Sequence, residues 1–277
     1  LEDQKYPLDR KDFSFSMEGQ SIRFDLAYIT IHGTPGEDGK LQGYFDMIRM
    51  PYANSGVLAS SLSFNKWACN QFLKSFGVPI AESFHLKKGE KINPDEILNK
   101  TGLPCFVKPN DGGSSFGITK VKEAEHLANA ITTAFQEGEE VIIESQLVGR
   151  ELTCGVYKDG KSTIALPVTE IIAHGEFFDY HAKYEGSSDE ITPADVASDI
   201  VQKIHETSTL IYRLLQLKGF ARIDFILVEQ TPHVIEVNTT PGMSPASIIP
   251  QQVKADHKDL KDVLTSVINT CMETFIS

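Results

Sequence analysis

The sequence has no cysteines placed to act together, no apolar run long enough to cross a bilayer and no excess of positive charge. Its four cysteines, Cys69, Cys105, Cys154 and Cys271, are far apart and form no CxxC pair. That excludes a disulfide framework and a thiolate zinc site, and leaves buried free thiols as the expectation. No window reaches about 18 apolar residues, so no membrane span is expected. The formal charge is −12, from 26 basic and 38 acidic residues. Such a balance argues against a nucleic-acid surface, although a local basic pocket can still hold a small anion. The G-x-S-x-G elbow of a Ser-His-Asp hydrolase is missing. So are the Walker A motif and a G-x-G-x-x-G fingerprint after a strand, which removes the two commonest nucleotide folds. His32 has no second histidine at metal-ligand spacing. With no leader-like segment at its start, the chain is expected to be soluble and cytoplasmic.

What is present is enough for a sizeable core, since 41% of the 277 residues are hydrophobic. D-L-A-Y-I-T-I (25–31) reads as a buried strand running into a glycine-rich loop, H-G-T-P-G-E-D-G-K-L-Q-G. A helical pattern from Phe64 stops at Gly77, with Pro79 beyond it. P-C-F-V-K-P (104–109), N-D-G-G-S-S-F-G and I-T-K-V read as strand, glycine-serine loop and strand. An amphipathic helix over 124–135 and a strand over 139–147 follow. K-D-G-K (158–161) between two apolar runs marks a hairpin. Residues 174–192 are a long polar loop. Thr192, Pro193 and Asp195 read as a capping box opening the next helix. Strands at 222–228 and 233–237, a Pro-Gly turn and a helix at 259–274 close the chain. The order of elements predicts α+β subdomains with mostly antiparallel later strands and breaks near 62 and 149.

Five features carry candidate chemistry. Asp224 and Glu236 lie in successive strands, and Asn238 shares a face with Glu236 by period-two spacing. Two facing carboxylates in an apolar setting repel unless a cation neutralises them, and an oxygen-only donor set suits Mg²⁺. A solvated pair on an edge hairpin is the competing reading. Lys108 ends an apolar strand before the glycine-serine loop, forming either a phosphate cradle or an ordinary glycine-rich hairpin. Glu144 and Glu151 flank a turn, where they either meet a nucleoside's polar groups or face solvent. Lys183 and Tyr184 sit in the long loop, as parts of a lid or as surface residues. His32 alone carries little. Together these features point to an ATP and Mg²⁺ site between two subdomains.

H-G-T-P-G-E-D-G-K-L-Q-G, F-V-K-P-x-x-G-G-S-S-F-G, F-F-D-Y-H-A-K-Y and R-I-D-F … E-V-N-T-T-P-G-M together resemble the signature blocks of the bacterial D-alanine–D-alanine ligases. They recur in that family's order, over roughly residues 29 to 253. The resemblance implies an ATP-grasp fold, α+β with α/β elements, whose nucleotide lies between two subdomains preceded by a partial N-terminal α/β domain. The implied division is 1–62, 63–148 and 149–277. It also implies ATP, two divalent ions (Mg²⁺, with Mn²⁺ as a substitute), a homodimer and a role in peptidoglycan synthesis, with no nucleic-acid or membrane partner.

By the same resemblance Asp224, Glu236 and Asn238 match the metal ligands. Lys66, Lys108 and Lys183 would contact ATP phosphates, Lys108 also lying near the adenine. Glu144 would bind nucleotide and Glu151 the ribose. Arg222 and the Gly242 amide would face the developing oxyanion, where fixed positive charge counts most. Ser247 would hold the second substrate's carboxylate, and His32 would lie by the first substrate. Ser114 and Tyr184 would join a hydrogen-bonded set around the substrates. The Lys183-Tyr184 pair favours a dipeptide over D-alanyl-D-lactate. The sequence departs from the pattern in two places. The family's opening strand and glutamate-bearing glycine segment have no match before residue 25, so such a segment is expected ahead of Leu1. Pro245 and Ala246 replace the residues usual before Ser247.

Overall fold

The computed structural model describes residues 5–112, 117–173 and 188–276. The chain opens with a small hairpin, β1 (Phe15–Met17) and β2 (Gln20–Ile22), followed by α1 (Lys40–Ile48), α2 (Val57–Phe64) and α3 (Lys66–Ser75). Next come β3 (Ser83–Lys87), α4 (Pro94–Thr101), β4 (Cys105–Pro109), β5 (Thr119–Val121), α5 (Leu127–Ala134) and β6 (Glu140–Ser145). The remainder holds β7 (Arg150–Asp159), β8 (Ser162–Ala165), β9 (Thr169–Ala173), β10 (Ser188–Ile191) and α6 (Ser198–Leu214). It closes with β11 (Ala221–Val228), β12 (Thr231–Asn238), α7 (Ile248–Ala255) and α8 (Leu260–Ile276).

Two antiparallel sheets dominate. The first runs β3-β6-β4-β5. Its alternating apolar positions, among them Cys105, Val107, Val121, Val141 and Ile143, pack on Ile97 of α4 and on Leu127 and Ile131 of α5. Period-two alternation sends Phe106, Lys108, Ile142 and Glu144 to the opposite face. The second sheet runs β10-β9-β7-β11-β12, with β8 also paired to β7. Leu152, Cys154, Val156, Ile223 and Phe225 point to one side, against Ile204 and Ile211 of α6 and Leu73 of α3. On the other side Tyr157, Leu166 and Phe220 meet Ile249 and Val253 of α7 and Val263 and Val267 of α8. Each sheet therefore has one face closed by helices and part of the other left open. The N-terminal segment is tied to the C-terminal half through Ser55, whose hydroxyl donates to Lys218 O at 3.1 Å and accepts from Lys218 N at 3.2 Å. Gly219, at φ 65°, follows directly, and a Cβ there would collide with the Ala53 carbonyl.

Several expectations need correction. Residues 25–31 are not a strand: their one ladder contact is the isolated bridge Ala27↔Tyr52. The Asn54 side chain instead takes the Ile29 N–H and C=O, at 2.7 and 3.0 Å, in place of a neighbouring strand. Thr192 does not cap a helix. Its hydroxyl meets Thr169 Oγ1 at 2.7 Å and Ala194 N donates to Val168 O, so α6 starts only after Ala197. The apolar run over 162–172 divides into β8 and β9, with Pro167 between them. Residues 1–24, mixed and polar with little periodicity in sequence, contain the β1–β2 hairpin, turned by Glu18 and Gly19, both at positive φ. That Glu-Gly pair lacks the Asn or Asp that makes such turns legible.

Ile204, fully buried between α6 and the large sheet, is a direct probe of this packing. Ile204→Ala is expected to lower unfolding stability by about 2–5 kcal/mol, read by urea denaturation followed by circular dichroism.

Candidate active site

Strand register builds one wall of the site. Asp224 of β11 lies directly opposite Glu236 of β12 and Thr153 of β7. In the next row Arg222 lies between Asn238 and Gly155. All six residues share a face by period two. Opposed carboxylates on neighbouring strands repel, and here a cation within the same sheet offsets that repulsion. Arg222 donates to both Asp224 oxygens, Nε to Oδ1 at 2.8 Å and Nη2 to Oδ2 at 2.7 Å. Thr153 Oγ1 adds a third donor, 2.6 Å from Asp224 Oδ1. Asp224 is only 5% exposed, and a buried carboxylate needs donors of this kind. Burial alone would lower the Arg222 pKa. The attraction of Asp224, Glu236 and Glu151 outweighs burial and raises it, so the guanidinium stays charged. Lys66 Nζ lies 3.7 Å from Glu236 Oε1.

The first sheet supplies the facing wall. Lys108 and Glu144 are diagonal neighbours on β4 and β6. Lys108 Nζ is 2.7 Å from Glu144 Oε2, and Asn70 Nδ2 of α3 donates to Glu144 Oε1 at 2.8 Å. Burial works to lower the Lys108 pKa, but the Glu144 carboxylate overrides it and raises the value. Lys66 Nζ donates to Gly112 O at 2.6 Å, fastening the lead-in of the glycine-serine loop to the start of α3.

Between the walls lies a cavity of about 870 Å³, lined by Lys66, Lys108, Glu144 and Glu151 and by Arg222, Asp224, Glu236 and Asn238. Its size suits a nucleotide with a small co-substrate. Asp224, Glu236 and Asn238 offer only oxygen from one sheet face, a donor set that fits a hard divalent ion such as Mg²⁺ or Mn²⁺. The Glu123, Glu125 and His126 cluster is exposed and lies outside the lining of this cavity.

His32, Gly242 and Ser247 line the same cavity. Ser247 Oγ is 2.9 Å from Ser244 Oγ, and a Cβ on Gly242 would come within 2.7 Å of Ser247 Oγ. His32 Nδ1 stands 3.7 Å from Glu37 Oε1, while Glu37 Oε2 accepts from Gly33 N at 2.7 Å. Ser114, Lys183 and Tyr184 lie outside the described residues. All four cysteines are buried and free, and burial pushes the Cys154 thiol up to about 12, which rules it out as a nucleophile. Sequence reading missed Thr153 and Asn70. Thr153 was within reach, because it follows Glu151 by two and so shares its face. Asn70 lies on a helix whose contact with β6 is purely tertiary.

A family profile described as "D-ala D-ala ligase C-terminus" matches residues 72–269. The chain belongs to the D-alanine–D-alanine ligase family. It is 52% identical over 265 residues to the D-alanine–D-alanine ligase of Bacteroides fragilis, covering 95% of this chain and 82% of that protein. Identity to the Parabacteroides distasonis ligase is 54% over 263 residues, covering 95% and 80%. Among solved structures, the VanG D-Ala:D-Ser ligase of Enterococcus faecalis superposes with a TM-score of 0.85 at 32% identity, covering 95% of this chain and 77% of that one. The D-alanine–D-alanine ligase of Bacillus anthracis gives 0.79 at 33% identity, covering 91% and 81%. The two-sheet arrangement is thus the ATP-grasp fold of this ligase family, with mixed α/β architecture and an N-terminal region ahead of it. No helix among the described residues is long and apolar enough to cross a membrane.

The His32 environment gives a pH prediction. The Glu37 carboxylate raises the His32 pKa above its ordinary 6.5, against opposing contributions from burial and Arg222. The charged pair therefore adds stability below pH 6.5 that is lost as pH rises through the folded-state value. A proton NMR titration is expected to place His32 above 6.5 and to bring it back toward that value in Glu37→Gln. An unshifted His32 in both proteins would contradict the pairing.

Proposed function

We propose that this chain joins two D-alanines at the expense of ATP, giving D-alanyl-D-alanine, ADP and phosphate for peptidoglycan synthesis. The observation that carries this reading is the Arg222, Asp224, Glu236 and Asn238 array facing Lys108 and Glu144 across one cavity. The γ-phosphoryl of ATP passes to the first D-alanine's carboxylate, forming an acyl phosphate. The second D-alanine's amine attacks that carbonyl, and phosphate leaves from the tetrahedral intermediate. Two divalent ions, held by Asp224, Glu236 and Asn238, would neutralise charge on the β- and γ-phosphates. Lys66, Lys108 and Lys183 hold the phosphates, with Lys108 also close to the adenine. Glu144 and Glu151 receive the nucleoside.

Arg222 and the Gly242 amide face the oxyanion, and Ser247 holds the second carboxylate. His32 sits by the first substrate, and Ser114 and Tyr184 order the groups around both. Arg222 has a double part in this scheme. It donates to both Asp224 oxygens, and a phosphoryl group in the cavity would offer it a second anionic partner. The division 1–62, 63–148 and 149–277 is the frame in which we place these roles. A cytoplasmic homodimer that binds neither nucleic acid nor membrane completes the proposal.

The direct test follows D-alanine-dependent ADP release with Mg²⁺, identifies the product by mass and offers D-lactate and D-serine as competing acceptors. Dipeptide as the main product is expected. Depsipeptide or D-alanyl-D-serine would overturn the acceptor assignment, and no ADP release with D-alanine would overturn the substrate. Removing one metal-facing carboxylate with Glu236→Gln is expected to lower kcat by about 100-fold or more, because charge that develops in a closed site loses its compensation. A Glu236→Gln enzyme with wild-type kcat and Mg²⁺ dependence would exclude Glu236 as a ligand.

A further inference from the structure

The large sheet has a gap beside its catalytic rows. β7 pairs with β9 as far as Thr153↔Thr169 and with β8 from Val156↔Ala165 onward. Residues 154 and 155 therefore face residues 166 to 168, and the registers do not match. Leu166 N donates to Gly155 O at 2.8 Å, but Pro167 has no N–H to continue the ladder. The Gly155 N–H and the Thr153 carbonyl would be orphaned in the interior, where unmet backbone groups are costly.

A side chain from α7 fills the gap. Gln252 Oε1 accepts from Gly155 N at 2.9 Å, and Gln252 Nε2 donates to Thr153 O at 3.1 Å and to Thr169 Oγ1 at 3.0 Å. The carboxamide acts as a surrogate strand peptide, and Gln252 is fully buried. Gly155 is shaped to it, because a Cβ there would lie 2.5 Å from Gln252 Oε1. The other α7 contacts to this sheet are apolar, through Ile249 and Val253, apart from an exposed hydrogen bond at 2.6 Å from Gln251 Nε2 to Glu190 Oε2 on the β10 edge, away from the β7 rows. Apolar packing is non-directional and holds the helix down without fixing its axial position. Hydrogen bonds with three defined partners do fix it.

Both ends of this clamp matter for the reaction. Ser247 is the N-cap of α7, five residues before Gln252. Thr153 holds Asp224 through its hydroxyl, and Gly155 lies opposite Arg222. We propose that Gln252 is a positioning residue that locks α7, and with it Ser247, to the β7 segment carrying the Asp224 and Arg222 rows. It thereby sets the reach between the second substrate's carboxylate and the phosphoryl-transfer groups. The inference rests on the function proposed above.

Two variants test it: Gln252→Met, which keeps the length and removes the carboxamide, and Thr169→Val, which removes one of its partners. Velocities over a range of D-alanine concentrations separate the two substrate sites, and the single tryptophan, Trp67, next to Lys66, reports ADP·Mg²⁺ binding by fluorescence. In Gln252→Met the second-site KM is expected to rise about tenfold, with a smaller rise in Thr169→Val, while first-site KM and ADP affinity stay within about twofold. Deuterium exchange of the α7 amides, read without substrates, is expected to accelerate from residue 247 onward. Equal changes at both substrate sites, or an unchanged second-site KM, would overturn the clamp. If Gln252→Met fails to fold, an unchanged second-site KM in Thr169→Val has the same force. Wild-type protein that releases no ADP with D-alanine would overturn the functional reading instead, and the exchange measurement would still decide the clamp.

Discussion

The pairing of Arg222 with Asp224 is the constraint around which the site is organised. Antiparallel register brings Asp224 directly opposite Glu236 in a sheet whose other face packs apolar side chains such as Ile223, Phe225 and Val237 behind them. A buried carboxylate such as Asp224 beside a second one needs cationic or hydrogen-bonding partners, because a lone buried ion costs several kcal/mol even after relaxation. The guanidinium meets this demand with two parallel hydrogen bonds, and Thr153 supplies a third. Arg222 comes from the same strand as Asp224, two residues away, so the pair needs no distant element to form. It does need β7 on one side and β12 on the other to hold the two rows in register.

The cavity follows from how the two sheets are covered. Each is closed on one side by helices that meet alternate apolar positions, and each leaves polar positions on the other side. α7 and α8 cover only one end of the large sheet's second face, so the charged rows stay open. Across from them Lys108 and Glu144 neutralise one another, with Asn70 completing the carboxylate's partners. Opposite charges are balanced locally on both walls.

Polar groups at the edge of the site are handled in the same economical way. Where β8 hands over to β9, Pro167 breaks the ladder and Gln252 restores it from a helix. Where residues 25–31 lack a paired strand, the Asn54 amide takes both backbone groups of Ile29. In each case a side-chain carboxamide replaces a peptide unit, which is possible because it carries the same donor and acceptor.

Local pattern settled much of this protein in advance. Period-two spacing in E-V-N put Glu236 and Asn238 on one face, and the apolar run around R-I-D-F placed Asp224 in the strand before them, while Arg222 was singled out by the family's sequence blocks. The Asp-Gly hairpin and the four sequence blocks were equally legible, because each is written in residues next to one another. Thr192 misled, since a capping pattern competes with a tertiary partner, and Thr169 won. The β1–β2 turn was hidden because Glu18 is an unusual residue at positive φ. The sequence by itself determined the strands that carry Asp224 and Glu236 and the family they belong to. Only the tertiary structure decided which polar groups meet across elements: Thr153 with Asp224, Asn70 with Glu144, Gln252 with the gap in β7. Hydrogen-bond partners far apart in the chain leave no periodic trace, since their meeting depends on how helices dock on sheets.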